Sequence, residues 1–418
     1  MRSWPMPFIP QVPGTAPEVR VRDTASGELV PAARSEVVTL YVCGITPYDA
    51  THLGHAATYV TFDLLGRVLR DSGHVVRYVQ NITDIDDPLL ERADRDGIDW
   101  RDLATREIAL FREDMTALAV IPPDEYLGAV ESIPTFVGPI EKLVADGFAY
   151  AVPAPDASRQ GAHDYYFDVS MDPRFGTVSH LDEAAMLEVF EERGGDPGRE
   201  GKRNRLDALL WRAHREGEPA WDGGSLGSGR PGWHIECSCL ALDHLGVPVD
   251  VQGGGTDLIF PHHEMSAAHG RAVSGSPSFA GAFVHQGMVG LDGEKMSKSK
   301  GNLVLVSQLR REGVDPMAIR LALLSRHHSQ DWIWDDDQLM LAQQRLETWR
   351  KSLSGNGGPV ADQTVDDIRA ALADDLDSPR AIEAIDRWAS QALTRGGDDP
   401  GAPGVLGRAL DSLLGIRI

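Results

Sequence analysis

Val37-Val38-Thr39-Leu40-Tyr41-Val42 is a short, apolar and largely β-branched stretch, which predicts a buried strand ending at Cys43-Gly44. A helix is predicted after His55, with Gly73 as its stop signal. Val75–Val79 then predicts a second strand. A strand, a helix and a strand within about forty residues form a βαβ unit, whose two strands must pair in parallel. The sequence therefore predicts an α/β fold with a doubly wound, Rossmann-like parallel sheet.

Composition places the chain among globular proteins. It has 418 residues, 42% of them hydrophobic and 25% charged, which is close to the average for folded domains. Three cysteines are too few to cross-link a secreted scaffold of this size, so we expect reduced thiols and a cytoplasmic protein. No apolar run is long enough to span a membrane, and the Pro-rich start does not resemble a signal peptide. We therefore expect no membrane partner.

The charge balance bears on nucleic acid as a partner. The chain has 40 Lys and Arg residues against 63 Asp and Glu residues, which gives a formal charge of −23. A surface this acidic repels phosphate backbones, so a nucleic acid would need a local basic patch. The composition thus disfavours an RNA or DNA partner.

The pattern of predicted elements divides the chain into five regions. An α/β pattern recurs at Val247–Val251 and Phe283–His285, while Pro, Gly and Asp interrupt the middle of the chain. We expect the first half of a catalytic domain over residues 1–123, an insertion over 124–199, the second half over 200–302, a helical region over 303–353 and a C-terminal helical domain over 354–418.

Two segments could carry phosphate chemistry. His52-Leu53-Gly54-His55 lies where a helix begins, so its imidazoles and the helix amides could contact a phosphate. Gly293–Asn302 contains three lysines and two serines between glycines, which suits a polyphosphate. Taken singly, the first segment could be ordinary polar residues and the second a solvated basic turn.

Together these segments resemble the HIGH and KMSKS signatures of class I aminoacyl-tRNA synthetases, which activate amino acids with ATP. The resemblance implies that His52 and His55, with Lys295 and Lys298 of the loop, stabilise charge on the ATP phosphates during adenylate formation. It also implies the HUP-type catalytic fold of that class, and Mg²⁺ accompanying ATP.

Longer motifs narrow the resemblance to cysteinyl-tRNA synthetase, over residues from about Val37 to Asn302. These motifs are Tyr41-Val42-Cys43-Gly44, Asn81-Ile82-Thr83-Asp84-Ile85-Asp86-Asp87, Gly229-Arg230-Pro231-Gly232-Trp233-His234-Ile235-Glu236-Cys237-Ser238 and Gly254-Gly255-Thr256-Asp257-Leu258-Ile259-Phe260-Pro261-His262-His263-Glu264. This resemblance implies a Zn²⁺ ion held by Cys43, Cys237 and His262, with the substrate thiolate as a further ligand.

Without the resemblance, the residues alone do not decide whether Cys43, Cys237 and His262 form a metal site. Free cysteines often pack as small hydrophobic residues, and the three proposed ligands show no local metal-binding spacing. Cys239 lies two residues from Cys237 and is another candidate, which the resemblance assigns to packing.

Other residues near the predicted strand ends are candidates for binding the cysteine and nucleotide. They share a place in the crevice outside the carboxyl ends of the strands, although Trp and Thr residues there often only pack. The candidates are Cys43, Gly44, Ile45, Thr46, Thr58, Asn81, Ile82, Thr83, Trp233, Gly255, Thr256, Asp257 and Val289.

Several features depart from cysteinyl-tRNA synthetases. Ser266 stands where they usually carry a Glu that completes the metal site, and Pro88 replaces an expected lysine. We also expect a truncated stem-contact and helical end, because 119 residues follow Ser299. Residues 361–418 hold eleven acidic residues against six arginines, whereas a domain that grips tRNA should be basic.

These departures, with Glu192-Arg193-Gly194-Gly195-Asp196-Pro197, resemble the cysteine ligases of mycothiol biosynthesis. The resemblance implies activation of L-cysteine as cysteinyl-adenylate and its transfer to the amine of glucosaminyl-inositol, with AMP and pyrophosphate as products. We expect a monomer that binds these small molecules and no nucleic acid. The alternatives are a compact cysteinyl-tRNA synthetase and a catalytically inactive regulatory paralogue.

Overall fold

The computed structural model describes residues 1–49, 51–291 and 303–418, together with the backbone of residues 294–295. Its strands, in chain order, are β1 (Arg20–Arg22), β2 (Leu29–Pro31), β3 (Val37–Val42), β4 (Val75–Ile82), β5 (Glu125–Gly128), β6 (Ala149–Pro153), β7 (His163–Phe167), β8 (Ala208–Ala213), β9 (Gly229–Pro231), β10 (Val249–Gly255), β11 (Ala280–Gln286), β12 (Val289–Leu291), β13 (Glu294–Lys295) and β14 (Trp332–Trp334). Its α-helices are α1 (Leu53–Asp71), α2 (Asp87–Asp96), α3 (Trp100–Ala117), α4 (Ala129–Ala145), α5 (Glu183–Glu192), α6 (Trp233–Leu245), α7 (Glu264–Ser274), α8 (Val306–Arg311), α9 (Pro316–Leu324), α10 (Asp336–Leu353), α11 (Asp362–Ala373), α12 (Ser378–Arg395) and α13 (Ala402–Ala409).

The central sheet confirms the predicted α/β fold. Its five strands run in the order β11-β10-β3-β4-β5, and every neighbouring pair is parallel. β3 and β10, at its centre, are buried along most of their length, as the apolar sequence of β3 predicted. Because the strands are parallel, their carboxyl ends lie at one edge of the sheet.

Helix α1 begins earlier than the sequence suggested. The Nδ1 atom of His52 accepts hydrogen bonds from the backbone N–H groups of Gly54 (3.1 Å) and His55 (3.4 Å), so His52 caps the helix and Leu53 is its first residue. Histidine is not among the usual N-cap residues, which explains why the sequence pattern placed the start after His55.

A second sheet, antiparallel and ordered β6-β7-β8-β9, packs beside the central one. It runs from Ala149 to Pro231, while β5 belongs to the central sheet. The sheets therefore cross the boundaries at 124 and 199 that the sequence analysis placed around the insertion. A third sheet, β13-β12-β14, follows the central sheet in the chain.

The helices after residue 303 share a hydrophobic core with helix α1 of the central sheet. Arg320 of α9 is fully buried and contacts Asp63 of α1, which also binds Arg67 at 2.7 Å. Helix α11 ends at Ala373, and Leu376 lies in the turn that follows it, with a φ of 55°. Within the described ranges, no helix combines the length and apolar character that a membrane span needs.

Candidate active site

A cavity of about 720 Å³ opens at the carboxyl edge of the central sheet. Residues that follow β3, β4, β10 and β11 line it, as do the first turns of α1, α2 and α6. This position is where parallel α/β sheets bind their ligands.

Two cysteines and a histidine converge beside this cavity, and Cys43 lines it. The Sγ atoms of Cys43 and Cys237 are 3.7 Å apart, and His262 Nε2 lies 3.2 Å from Cys237 Sγ. The three ligand atoms all lie within 4.8 Å of one another, and all three side chains are buried. Cys43 follows β3, Cys237 lies in α6, and His262 lies in the turn before α7. The structure thus brings together the three residues that the resemblance identified as metal ligands.

The surroundings of His262 suit a metal ligand. Its Nδ1 atom lies 3.1 Å from Nδ1 of His234. Burial lowers the pKa of His234 well below the ordinary value, so its ring is neutral and its Nδ1 atom can accept a hydrogen bond from His262. Because Nδ1 faces His234, Nε2 is the ring nitrogen of His262 that faces the cysteines and is placed to bind a cation. Trp233 stacks on the His262 ring at 4.2 Å between ring centroids and fixes its plane.

The two thiols titrate differently. Burial raises the pKa of the Cys43 thiol. Burial alone would also raise the pKa of Cys237, but the hydrogen bond from Cys43 and the contact with His262 bring it well below the ordinary value. Cys237 is therefore the first of the pair to become a thiolate, the form that binds metal ions.

His263 is a neighbour of this cluster that the sequence analysis did not assign. Its Nε2 atom lies 3.3 Å from Cys43 Sγ, and its Nδ1 atom lies 2.7 Å from Nε2 of His285. His285 in turn contacts the Thr24 hydroxyl at 2.7 Å. The doublet His262-His263 was the available signal, but spacing alone does not tell which histidine faces which cysteine.

Ser266 and Cys239 do not contribute to the cluster. The hydroxyl of Ser266 donates to the backbone carbonyl of His234 at 3.1 Å. Cys239 is fully buried among apolar residues of the core, as the resemblance implied.

The histidines of the HIGH-like segment line the same cavity. The rings of His52 and His55 stack with centroids 3.7 Å apart, and both residues line the cavity. The backbone N–H of Leu53 donates a hydrogen bond to the backbone carbonyl of Val304. This bond connects the HIGH-like segment to the chain that follows the lysine-rich segment Gly293–Asn302. Lys298 lies outside the described residues, and of Lys295 only the backbone is described, paired with Gly290.

The other predicted binding residues divide into two groups. Most line the cavity: Gly44, Ile45, Thr46, Thr58, Trp233, Gly255, Asp257 and Val289. Asn81, Ile82, Thr83 and Thr256 do not belong to the cavity wall that the described residues form. Asn81 instead accepts a hydrogen bond from the backbone N–H of Gly44 at 2.8 Å, and a Cβ atom on Gly44 would lie 1.7 Å from the Asn81 carbonyl oxygen. This close approach requires glycine at position 44 and positions Cys43.

Comparison with known proteins identifies the family. A family model described as the tRNA synthetase class I (C) catalytic domain matches residues 29–344. Relatives named L-cysteine:1D-myo-inositol 2-amino-2-deoxy-alpha-D-glucopyranoside ligase, from Sanguibacter keddieii and Streptomyces coelicolor, are 60% and 58% identical to this chain. The alignments cover 100% of this chain and of each relative. The chain belongs to this ligase family, within the class I synthetases.

Two solved structures of class I synthetases have the same fold as this ligase family member. Methionyl-tRNA synthetase of Mycobacterium tuberculosis, in complex with methionyl-adenylate, matches with a TM-score of 0.62 and 17% identity over 91% of this chain and 90% of that one. A leucyl-tRNA synthetase of Agrobacterium radiobacter matches with a TM-score of 0.61 and 12% identity, over 99% of this chain and 84% of that one. At these identities the likeness shows the fold alone, and it confirms the class I architecture.

Several further residues line the cavity that the sequence analysis did not assign to the site. Asp86, Asp87, Arg230 and Glu236 belong to it. All four stand inside motifs that resemble cysteinyl-tRNA synthetase, so the motifs marked their segments. Nothing in the local spacing showed that the start of α2, strand β9 and helix α6 meet at one wall.

Proposed function

We propose that this protein is an ATP-dependent ligase that activates L-cysteine as cysteinyl-adenylate and joins it to the amine of glucosaminyl-inositol. The observation that carries this proposal is full-length identity of 57–60% to ligases named for this reaction, together with a buried Cys/His cluster beside the cavity, which Cys43 lines. The products are the cysteinyl amide, AMP and pyrophosphate.

We infer that the metal is Zn²⁺. Two sulfurs and one imidazole form a donor set that zinc prefers, and three protein ligands leave one tetrahedral position for the thiolate of the substrate. Zinc supplies a strong bond to sulfur at that position, so serine, which offers only a hydroxyl, binds much more weakly. In this chain, Cys43, Cys237 and His262 hold the metal, while Trp233 and His234 fix the orientation of His262.

ATP, with Mg²⁺, is proposed to bind between the HIGH-like segment and the end of β10. His52 and His55 lie at that wall, and Gly255 and Asp257 line the cavity beside them. The imidazoles, with Lys295 and Lys298, would neutralise charge that develops on the phosphates as the carboxylate of cysteine attacks the α-phosphorus. Pyrophosphate leaves in that step, and the amine of the acceptor then displaces AMP from the carbonyl carbon.

A small-molecule acceptor fits the charge of the chain better than tRNA. Residues 361–418, which form α11 to α13 and the segments around them, carry eleven acidic residues and six arginines. Such a surface repels a phosphate backbone. We therefore propose that the protein acts without nucleic acid. We also propose a monomer in the cytoplasm, which the small number of cysteines favours for the location.

One experiment separates this reaction from tRNA charging. Purified protein is incubated with cysteine, ATP and glucosaminyl-inositol, and the amide is measured by mass spectrometry, with cysteinyl-tRNA formation measured in parallel. We expect the amide and no charged tRNA. Charged tRNA without amide would favour a compact cysteinyl-tRNA synthetase, and absence of cysteine-dependent ATP–pyrophosphate exchange would favour an inactive paralogue.

A further inference from the structure

Part of the cavity lining lies next to the metal cluster, and we call this part the arm: Asp86 and Asp87 at the start of α2, Arg230 of β9 and Glu236 of α6. Arg230 contacts Asp87, so strand β9 and the start of α2 meet in this arm. Arg230 comes three residues before Trp233, whose ring stacks on His262. The arm therefore opens onto the place where the thiol of cysteine is proposed to bind.

Charge in this arm is unbalanced. The Arg230 guanidinium contacts Asp87 and lies 3.4 Å from Glu218, so its charge is already neutralised. Among the residues that the structure describes, no cationic side chain lies within ion-pair distance of Asp86. Within the described part of the chain, the Asp86 carboxylate accepts the backbone N–H of Asp87 at 2.8 Å and, more distantly, the Thr46 hydroxyl at 3.5 Å.

Glu236 gives an independent indication of a ligand. Its side chain lines the same cavity, yet the residue is only 2% exposed and its Oε2 atom has no hydrogen-bond partner within the described part of the chain. A buried carboxyl oxygen without a partner costs free energy, which a ligand N–H or O–H group would recover. Glu236 lies beside Cys237 in α6, so such a ligand would sit close to the metal cluster.

The chemistry of the arm fits a cationic polyol. The Asp86 carboxylate attracts an ammonium group and repels phosphates, and the buried carboxyl of Glu236 is a good hydrogen-bond partner for a sugar hydroxyl. In the described residues these carboxylates do not join a group of three or more possible metal ligands, which disfavours a divalent cation as the occupant. Two features that separate this chain from cysteinyl-tRNA synthetases, Pro88 and the Glu192–Asp196 stretch, also line the cavity.

We propose that this arm is the acceptor-binding site, in which Asp86 binds the ammonium group of the amino sugar and Glu236 binds a neighbouring hydroxyl. The proposal rests on the proposed function, since it identifies the residues that receive the second substrate. Asp86 and Glu236 thereby hold the amino group near the cysteinyl carbonyl carbon. The ammonium group gives up one proton to Asp86 or to solvent, and its nitrogen then attacks that carbon as AMP leaves.

The test compares Asp86→Asn with wild type in two assays. Asparagine caps a helix as well as aspartate does, so α2 should keep its start while the charge is removed. We expect the KM for glucosaminyl-inositol to rise at least tenfold, while cysteine-dependent ATP–pyrophosphate exchange stays within twofold. Asp94→Asn makes the same chemical change on the exposed part of α2 and should alter neither quantity by more than twofold.

A second measurement does not depend on any variant. Glucosyl-inositol, in which a hydroxyl replaces the amine, should bind wild-type protein at least tenfold more weakly than glucosaminyl-inositol. Equal binding of the two sugars, an unchanged acceptor KM in Asp86→Asn, or loss of pyrophosphate exchange in that variant would each overturn the assignment of the arm. Absence of amide formation by wild-type protein would instead contradict the proposed function itself.

Discussion

The Sγ atoms of Cys43 and Cys237 lie 3.7 Å apart although 194 positions separate the two residues in the chain. The sheet brings them together, because Cys43 follows the central strand β3 and Cys237 lies in a helix that packs against it. Cys239, two residues further along α6, packs into the core instead. Cys237 and Cys239, two positions apart on one helix, therefore differ in their surroundings and should differ in function.

Cys43→Ala should abolish zinc binding, whereas Cys239→Ala should retain it. Removing Cys43 leaves two protein ligands, too few for a stable tetrahedral site, while Cys239 only fills core volume. Bound zinc measured by mass spectrometry should fall from about one per chain to near zero in the first variant alone. The KM for cysteine in pyrophosphate exchange should rise with it. Equal zinc content in both variants would contradict the ligand assignment.

The sequence predicted which segments form the site, but it did not predict how these segments are arranged in space. β3, the HIGH-like segment and the three metal ligands stand in motifs that the sequence displays. The role of His263 could not be predicted, because its contact with Cys43 depends on the turn before α7. Likewise the arm containing Asp86 and Glu236 is built from α2, β9 and α6, whose relative positions arise only from tertiary packing.

Asp63→Asn should strongly destabilise the fold. Asp63 binds both Arg67 and Arg320, and all three side chains are buried, so loss of its charge leaves two guanidinium groups uncompensated. Breaking such a buried network costs about 3–5 kcal/mol of unfolding free energy. Denaturant unfolding monitored by circular dichroism measures this cost. The exposed control Asp94→Asn should change the free energy by less than about 0.5 kcal/mol.

The same network predicts how the difference in unfolding free energy between wild type and Asp63→Asn depends on pH. Burial alone would raise the pKa of Asp63, but the guanidinium groups of Arg67 and Arg320 lower it below its ordinary value. A lowered pKa stabilises the fold fully above the unfolded value of about 3.9, and this contribution disappears as pH falls through the folded value. The gap between wild type and Asp63→Asn should therefore be constant near neutral pH and narrow below about pH 4. A gap that widens in acid would contradict this.

Lys298→Ala should slow adenylate formation much more than it weakens cysteine binding. The resemblance implies that its charge acts on the phosphates in the transition state, so its loss should lower the rate of pyrophosphate exchange by about a hundredfold. Cysteine binding, which depends on the metal cluster, should change by less than threefold in calorimetry. Lys351→Ala, on the exposed surface of α10, is the matched control and should behave as wild type. A proportional loss of both quantities would indicate a binding role instead.

Acceptor binding should weaken as pH falls through about 6. Burial, and then the neighbouring charge of Asp87, raise the pKa of Asp86 to about 6, while Arg230 and the Thr46 hydroxyl partly oppose this shift. Tyr48 and Glu236 also lie near the carboxyl, and neither supplies a positive charge.

A protonated Asp86 no longer attracts an ammonium group, and the amine itself, with an ordinary pKa near 8, stays charged below pH 7. Calorimetric titration with glucosaminyl-inositol should therefore show about tenfold weaker binding at pH 5 than at pH 7. The Asp86→Asn variant lacks the titrating carboxyl, so its already weak binding should change little over the same range. A wild-type affinity that is flat between pH 5 and pH 7 would contradict the ion pair between Asp86 and the acceptor.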